Sequence, residues 1–102
     1  MPSTYPTAQN GNSTTVPSAT SAVQLMFANE LRQGGTIANN STAILYVLLG
    51  NKQTVSSSIF TLAMAGSSSG ALAYYELPFG YVGDVWGIWA TANGSAAVVE
   101  YT

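Results

Sequence analysis

The chain has 102 residues, of which 47% are apolar and only 6% are charged, and its formal net charge is -2. An average soluble domain carries about 25% charged residues, so this chain has few charges to present to water. Its two cations provide neither a phosphate-neutralising patch nor a basic face for anionic lipid. Nucleic acid and membranes are therefore not expected partners.

The sequence contains no histidine and no cysteine, so it offers no imidazole base, no thiolate nucleophile and no usual metal site. We expect no enzyme, no metal, no cofactor and no small-molecule substrate. Glu76 and Asp84, on either side of the segment 77–83, are the only carboxylate pair that suggests carbohydrate cleavage. A solvated strand position for Glu76 and a turn for Asp84 are the favoured interpretation.

The longest apolar run, at 43–50, is shorter than the roughly 20 residues that cross a bilayer. The start of the sequence lacks the cationic and apolar regions of a signal peptide. We therefore expect the protein to be made in a cytoplasm.

Residues 1–20 are rich in Ser, Thr and Asn and hold three of the four prolines. Tyr5 and Val16 are the only large side chains after Met1, so this segment cannot bury enough apolar surface to fold alone. The composition predicts an extended N-terminal arm over 1–20 and one domain over 21–102.

Beyond residue 21, short apolar runs alternate with clusters of Gly, Asn and Ser, which favours an antiparallel β-sandwich or jelly-roll-like domain. The predicted strands lie near 22–27, 34–39, 43–49, 59–64, 72–77, 85–91 and 96–101. A helix is a competing interpretation only at 22–32, after a possible Ser21 cap.

Asn93 and Gly94 match the centre of a two-residue hairpin loop, because both positions of a type I′ turn need positive φ. This loop predicts that Trp89 pairs with Val98 and Trp86 with Tyr101. A looser turn at 38–42 is predicted to join the strands that begin near Thr36 and end near Leu49.

The strand pattern predicts apolar surface on both faces. In the segment 43–49, both faces of the predicted strand carry apolar side chains, so both faces must be covered by other parts of the protein or by a partner. The closing hairpin has one face with Trp86, Ile88, Val99 and Tyr101 and another with Val85, Trp89 and Val98. Since only one face meets the core of the domain, the other predicts an interface. Our candidates for core or subunit packing are Trp86, Ile88, Trp89, Val99, Tyr101, Tyr46 and Leu48.

Two stretches, "GGTIANNSTAILYVLLG" at 34–50 and "YYELPFGYVGDVWGIWATANGSAAVVEYT" at 74–102, resemble small structural proteins of tailed bacteriophages. Similar modules occur in capsid decoration or cement proteins and in head-fibre and adhesion proteins. The resemblance implies a β-sandwich or jelly-roll module that usually forms trimers and belongs to the virion.

From the resemblance and the composition we expect a capsid decoration protein on the capsid surface, made in the host cytoplasm. It would bind the major capsid protein as a homotrimer, with Tyr5 and Val16 as anchors of the arm. The alternative is a head-fibre or host-adhesion module that binds surface glycans through Phe79 and Tyr81.

Overall fold

The structure is a computed structural model that describes residues 10–50, 54–66, 73–78 and 80–102. The described residues form eight β-strands and no helix. The strands are β1 (Gly11–Pro17), β2 (Val23–Met26), β3 (Gly34–Asn40), β4 (Leu45–Leu49), β5 (Leu62–Met64), β6 (Ala73–Glu76), β7 (Val85–Trp89) and β8 (Ser95–Tyr101).

The strands form two four-stranded sheets, which we call the β1 sheet (β1-β8-β3-β6) and the β2 sheet (β2-β7-β4-β5). All pairings are antiparallel and nested, since β1 pairs with β8, β2 with β7, β3 with β6 and β4 with β5. A ribbon of nested pairs that rolls up into two sheets is the eight-stranded jelly roll. The structure thus confirms the predicted all-β sandwich class and the seven predicted strands, including a strand rather than a helix at Val23–Met26.

An eighth strand, β1, lies inside the segment predicted to be an arm. All seven of its residues pair with β8, from Gly11 with Tyr101 to Pro17 with Ser95. The backbone of β1 thereby adds an edge strand to the sheet, although most of its side chains are exposed. Val16 is only 8% exposed and packs in the core, so its assignment as a capsid-binding anchor is wrong, as is an arm that reaches residue 20. Tyr5 lies outside the described residues.

The predicted hairpin at Asn93 and Gly94 is wrong, because β7 and β8 belong to different sheets. Trp89 pairs with Leu45 and not with Val98. The segment 90–94 crosses between the sheets, and Gly94 takes a φ of 71° against the carbonyl of Asn40. The turn predicted at 38–42 is likewise a crossing between the sheets and lies over 41–44, because residues 38–40 still belong to β3.

The core lies between the sheets. Gly87 faces it, where an added Cβ would contact Leu25 and Leu45. The predicted alternation of inward and outward side chains holds within β7 and within β8, since Val85, Trp89 and Val98 are buried. The largest fully buried side chains are Trp89, Ile37, Leu45, Val47, Val85 and Asn39.

Candidate functional site

The outward side of the β2 sheet carries four large apolar side chains, Tyr46, Leu48, Trp86 and Ile88, which we call the apolar face. Tyr46 pairs with Ile88 and Leu48 with Trp86 across β4 and β7, so the four form one block. Each is partly exposed. The ring of Phe60 tilts against that of Tyr46 at a centroid separation of 5.1 Å, so the segment after residue 54 shields one side of the block.

The indole of Trp86 stands out within the apolar face. Its Nε1 is buried and has no hydrogen-bond partner among the described residues. A buried donor without an acceptor costs roughly 1–3 kcal/mol.

The remaining predicted packing residues lie on the opposite side of the sandwich. Val99 and Tyr101 point outward from β8 in the β1 sheet, whereas Trp89 lies in the core. The predicted outer set is therefore split between two faces rather than assembled into one. Neighbouring outward positions of the β1 sheet hold small residues, namely Ser13, Thr15, Thr36, Ala38 and Ala97.

One end of the sandwich is fastened by Arg32, whose side chain is fully buried. Its Nε donates to Glu100 Oε2 at 2.8 Å, one Nη to the carbonyl of Gly83 at 2.8 Å, and the other Nη to the carbonyl of Phe27. A planar guanidinium suits this role because its donors spread in fixed directions. Sequence reasoning gave Arg32 no role; its one signal is that it is the only arginine in a chain with two cations.

The loop 27–33, which follows β2, is ordered by further hydrogen bonds at this end. Asp84 Oδ1 accepts from the backbone N–H of Ala28 at 2.7 Å and from Gln24 Nε2 at 2.7 Å. Asn29 donates through Nδ2 to Glu100 at 3.2 Å and through its backbone N–H to Val82 at 2.8 Å. This well-anchored loop nevertheless exposes Phe27 by 72% and Leu31 by 73%, the highest values among the exposed large apolar side chains described.

An open groove of about 300 Å³ adjoins Phe27, between the edges β1 and β2. Apolar side chains in its lining are Val16, Leu25, Met26 and Val98. The groove extends the apolar surface of the loop towards the core.

The other end of the sandwich is fastened by Asn39, which is fully buried. Its Nδ2 donates to the carbonyls of Ala43 and Ala65, both at 2.9 Å, and its Oδ1 accepts from Trp89 Nε1 at 3.1 Å. Nearby, Asn93 Oδ1 accepts from the backbone N–H of Thr42 at 2.9 Å. These bonds close the crossings between the sheets.

The two carboxylates considered for catalysis are engaged separately. Glu76 lies at an exposed position of β6 and accepts from the Tyr74 hydroxyl at 3.0 Å, a bond that raises the pKa of Tyr74. Asp84 orders the loop 27–33, as described above. The described part of the chain contains no group of three or more His, Cys, Asp or Glu residues placed to hold a metal ion.

Of the two predicted glycan contacts, Tyr81 is half-buried and its hydroxyl donates to the carbonyl of Asp84 at 2.5 Å. Burial raises the pKa of Tyr81, partly opposed by the nearby charge of Arg32. Its hydrogen-bonding group is thus occupied within the domain. Phe79 lies outside the described residues.

A scan against protein-family models and searches of curated proteins and of solved structures found no match to this chain. In the segments that the structure covers, no helix is long and apolar enough to cross a membrane.

Proposed function

We propose that this chain is a capsid decoration protein of a tailed bacteriophage, which binds the major capsid lattice as a homotrimer and stabilises the mature head. The observation that carries the proposal is the apolar face, where four partly exposed large side chains form one block. Contiguous apolar surface with aromatic side chains is typical of a surface that another subunit covers.

The scarcity of charge supports assembly. Within the described strands the only charged residues are Glu76 and Glu100, and Glu100 is bound by Arg32. Both lie in the β1 sheet, so the outward side of the β2 sheet can meet a copy of itself or a shell without burying an unpaired charge of its own strands. Contacts of this kind depend little on salt.

The fold agrees with a virion role at the level of analogy. Eight-stranded jelly rolls occur in viral capsid proteins and in lectins, and a fold alone does not assign a function. The sequence resemblance to phage structural proteins supports a virion part, and it includes decoration and adhesion modules alike.

Stabilisation of the head would follow from thermodynamic linkage. A protein that binds only the assembled, expanded lattice shifts the equilibrium towards that lattice. A trimer gains further because its three binding sites act at high effective concentration, so weak single contacts become durable together.

The oligomeric state tests the role of the apolar face. We expect light scattering coupled to size exclusion to give a trimer, and Leu48→Asp to give a folded monomer because it places a charge in the subunit contact. The matched control is Thr15→Asp, on the outward side of the β1 sheet, which should remain trimeric. A wild-type monomer at high concentration, or a trimeric Leu48→Asp variant, would contradict the proposed interface.

Binding to heads tests the function itself. Expanded heads that lack the protein should bind it in a sedimentation assay and should then resist a higher temperature. If the wild-type protein does not bind heads but binds a defined saccharide on a glycan array, adhesion replaces decoration as the proposed function.

A further inference from the structure

We propose that the loop 27–33 is the element that attaches the protein to its shell, by placing Phe27 and Leu31 in an apolar pocket that has a basic rim. This inference rests on the proposed decoration function and deepens it. It also assigns attachment to the folded domain, since Val16 is part of the core and is unavailable as an anchor.

Exposure at the loop is the first argument. Phe27 and Leu31 are the two most exposed of the large apolar side chains described, at 72% and 73%. They lie four residues apart on one loop, and Phe27 also lines the groove beside β2, whose lining is partly apolar and partly polar. Single exposed apolar residues are common, but two of them on one short loop beside such a groove mark a binding surface.

Order in the loop is the second argument. The carbonyl of Phe27 accepts from the buried Arg32 guanidinium, and the N–H of Ala28 donates to Asp84. Leu31 N–H donates to Asn29 Oδ1 at 3.0 Å, and Asn29 is itself bonded to Glu100. The backbone that presents both side chains is therefore arranged before binding, so little conformational freedom is lost on docking.

Charge identifies the kind of partner. Glu30 is exposed and lies directly before Leu31. Asp84 and Glu100 lie at the same end. Among the described residues of the loop 27–33 and its hydrogen-bond partners, three carboxylates, those of Glu30, Asp84 and Glu100, therefore stand against one cation, Arg32.

A basic rim complements that charge, and a second copy of this chain cannot readily supply it. The chain has two cations in all, and the Arg32 side chain has no exposure. The partner is therefore a different protein, with lysine or arginine around an apolar pocket. Within a virion, the shell to which the protein binds fits this description.

The test is a Phe27→Ser, Leu31→Ser double variant, with an Ile59→Ser, Tyr74→Ser double variant as the matched control. Ile59 and Tyr74 are 51% and 61% exposed. Ile59 precedes β5 and Tyr74 lies on β6, and these two strands form the sheet edges opposite β2 and β1. Binding to expanded heads that lack the protein is measured by sedimentation. We expect the loop variant to bind at least about tenfold more weakly, with an unchanged oligomeric state and melting temperature, and the control to bind as the wild type does.

The role of charge is tested by Glu30→Gln. This variant should associate more slowly than the wild type at low salt, and the difference should vanish at high salt, because steering between exposed charges is screened. An association rate that is unchanged at low salt would contradict the proposal that the partner has a basic rim.

The outcomes separate the two proposals. Wild-type protein that does not bind heads overturns decoration and the loop contact together. Wild-type protein that binds heads, with a loop variant that binds equally well, overturns the loop contact alone. A loop variant that loses its oligomeric state assigns the loop to the subunit interface and also overturns the inference. If the double variant does not fold, Leu31→Ser alone is subjected to the same measurement and the same criteria.

Discussion

The two ends of the sandwich perform the same structural task with different chemistry. At one end the neutral amide of Asn39 binds two carbonyls and the Trp89 indole. At the other end the guanidinium of Arg32 binds carbonyls and the carboxylate of Glu100. Both side chains are buried and both join loops that cross between the sheets.

The difference lies in what each end presents to the surroundings. The Arg32 end exposes Phe27 and Leu31 and holds the carboxylates of Glu30, Asp84 and Glu100, whereas the described residues around Asn39 are uncharged. The charged side chain of Arg32 holds the acidic, apolar loop 27–33 in place, and the neutral side chain of Asn39 closes the core. We infer that the Asn39 end serves stability alone, and that the Arg32 end serves stability and attachment.

The largest effect is expected for Arg32→Met. The substitution leaves Glu100 without its cation and removes donors from the carbonyls of Phe27 and Gly83. Breaking a buried ion pair by removing one partner costs about 3–5 kcal/mol, and we expect a loss of this size in the free energy of unfolding, measured with urea. A loss below about 1 kcal/mol, the range of surface pairs, would show that the guanidinium does not hold this end.

A smaller loss, about 2–3 kcal/mol, is expected for Asn39→Ala. It leaves the buried Trp89 N–H without an acceptor and removes one donor from each of the carbonyls of Ala43 and Ala65. The matched control is Asn40→Ala at the adjacent exposed position, which should change the free energy of unfolding by no more than about 0.5 kcal/mol. Equal effects of the two substitutions would contradict a buried amide network.

Gly94→Ala tests the crossing at the Asn39 end. The φ of 71° disfavours a side chain, and an added Cβ would contact the carbonyl of Asn40. We expect a loss of about 1–3 kcal/mol. Gly50→Ala is the control at the Arg32 end, where an added Cβ meets no atom within 4 Å; there the free energy of unfolding should stay constant or rise by up to about 1 kcal/mol.

The smallest effect concerns pH and the Arg32 end. Burial raises the pKa of Tyr81 above its ordinary value of 10.0. The unfolded chain therefore releases this proton at a lower pH than the folded chain. The contribution of the Tyr81 hydroxyl to the free energy of unfolding is therefore complete below pH 10 and is lost as pH rises through the folded pKa. Unfolding measured between about pH 9 and 11 should show a weaker pH dependence in Tyr81→Phe than in the wild type.

At neutral pH the same variant loses the hydrogen bond to the Asp84 carbonyl, which should cost about 1 kcal/mol. An unchanged alkaline slope would contradict the burial of the hydroxyl. Burial also raises the pKa of Tyr75, so part of the slope should persist in the variant.

Local patterns predicted the strands but not their partners. Alternation placed Val85, Trp89 and Val98 inward, and they are buried. It did not reveal that β7 and β8 lie in different sheets, because a period of two residues fixes the side on which a residue lies and not the neighbouring strand. The Asn93–Gly94 signal indicated a tight reversal, which here crosses the sandwich.

The strand β1 and the Arg32 contacts were beyond local reasoning for a different reason. β1 consists mainly of Gly, Asn, Ser and Thr, and its pairing depends on backbone groups that β8 offers from the other end of the chain. Arg32 and Glu100 are separated by 68 positions in the sequence. Such contacts leave no periodic signal.

The sequence by itself determined the β class, the seven apolar strands and the shortage of charge, because these depend on composition and on the two-residue period of a strand. Only the tertiary structure decided the nested pairing, the place of β1, the split of the outer apolar residues between two faces and the end at which Phe27 and Leu31 are exposed. These depend on contacts between distant segments, since a chain buries its apolar sides and satisfies its backbone hydrogen bonds only when all the strands meet.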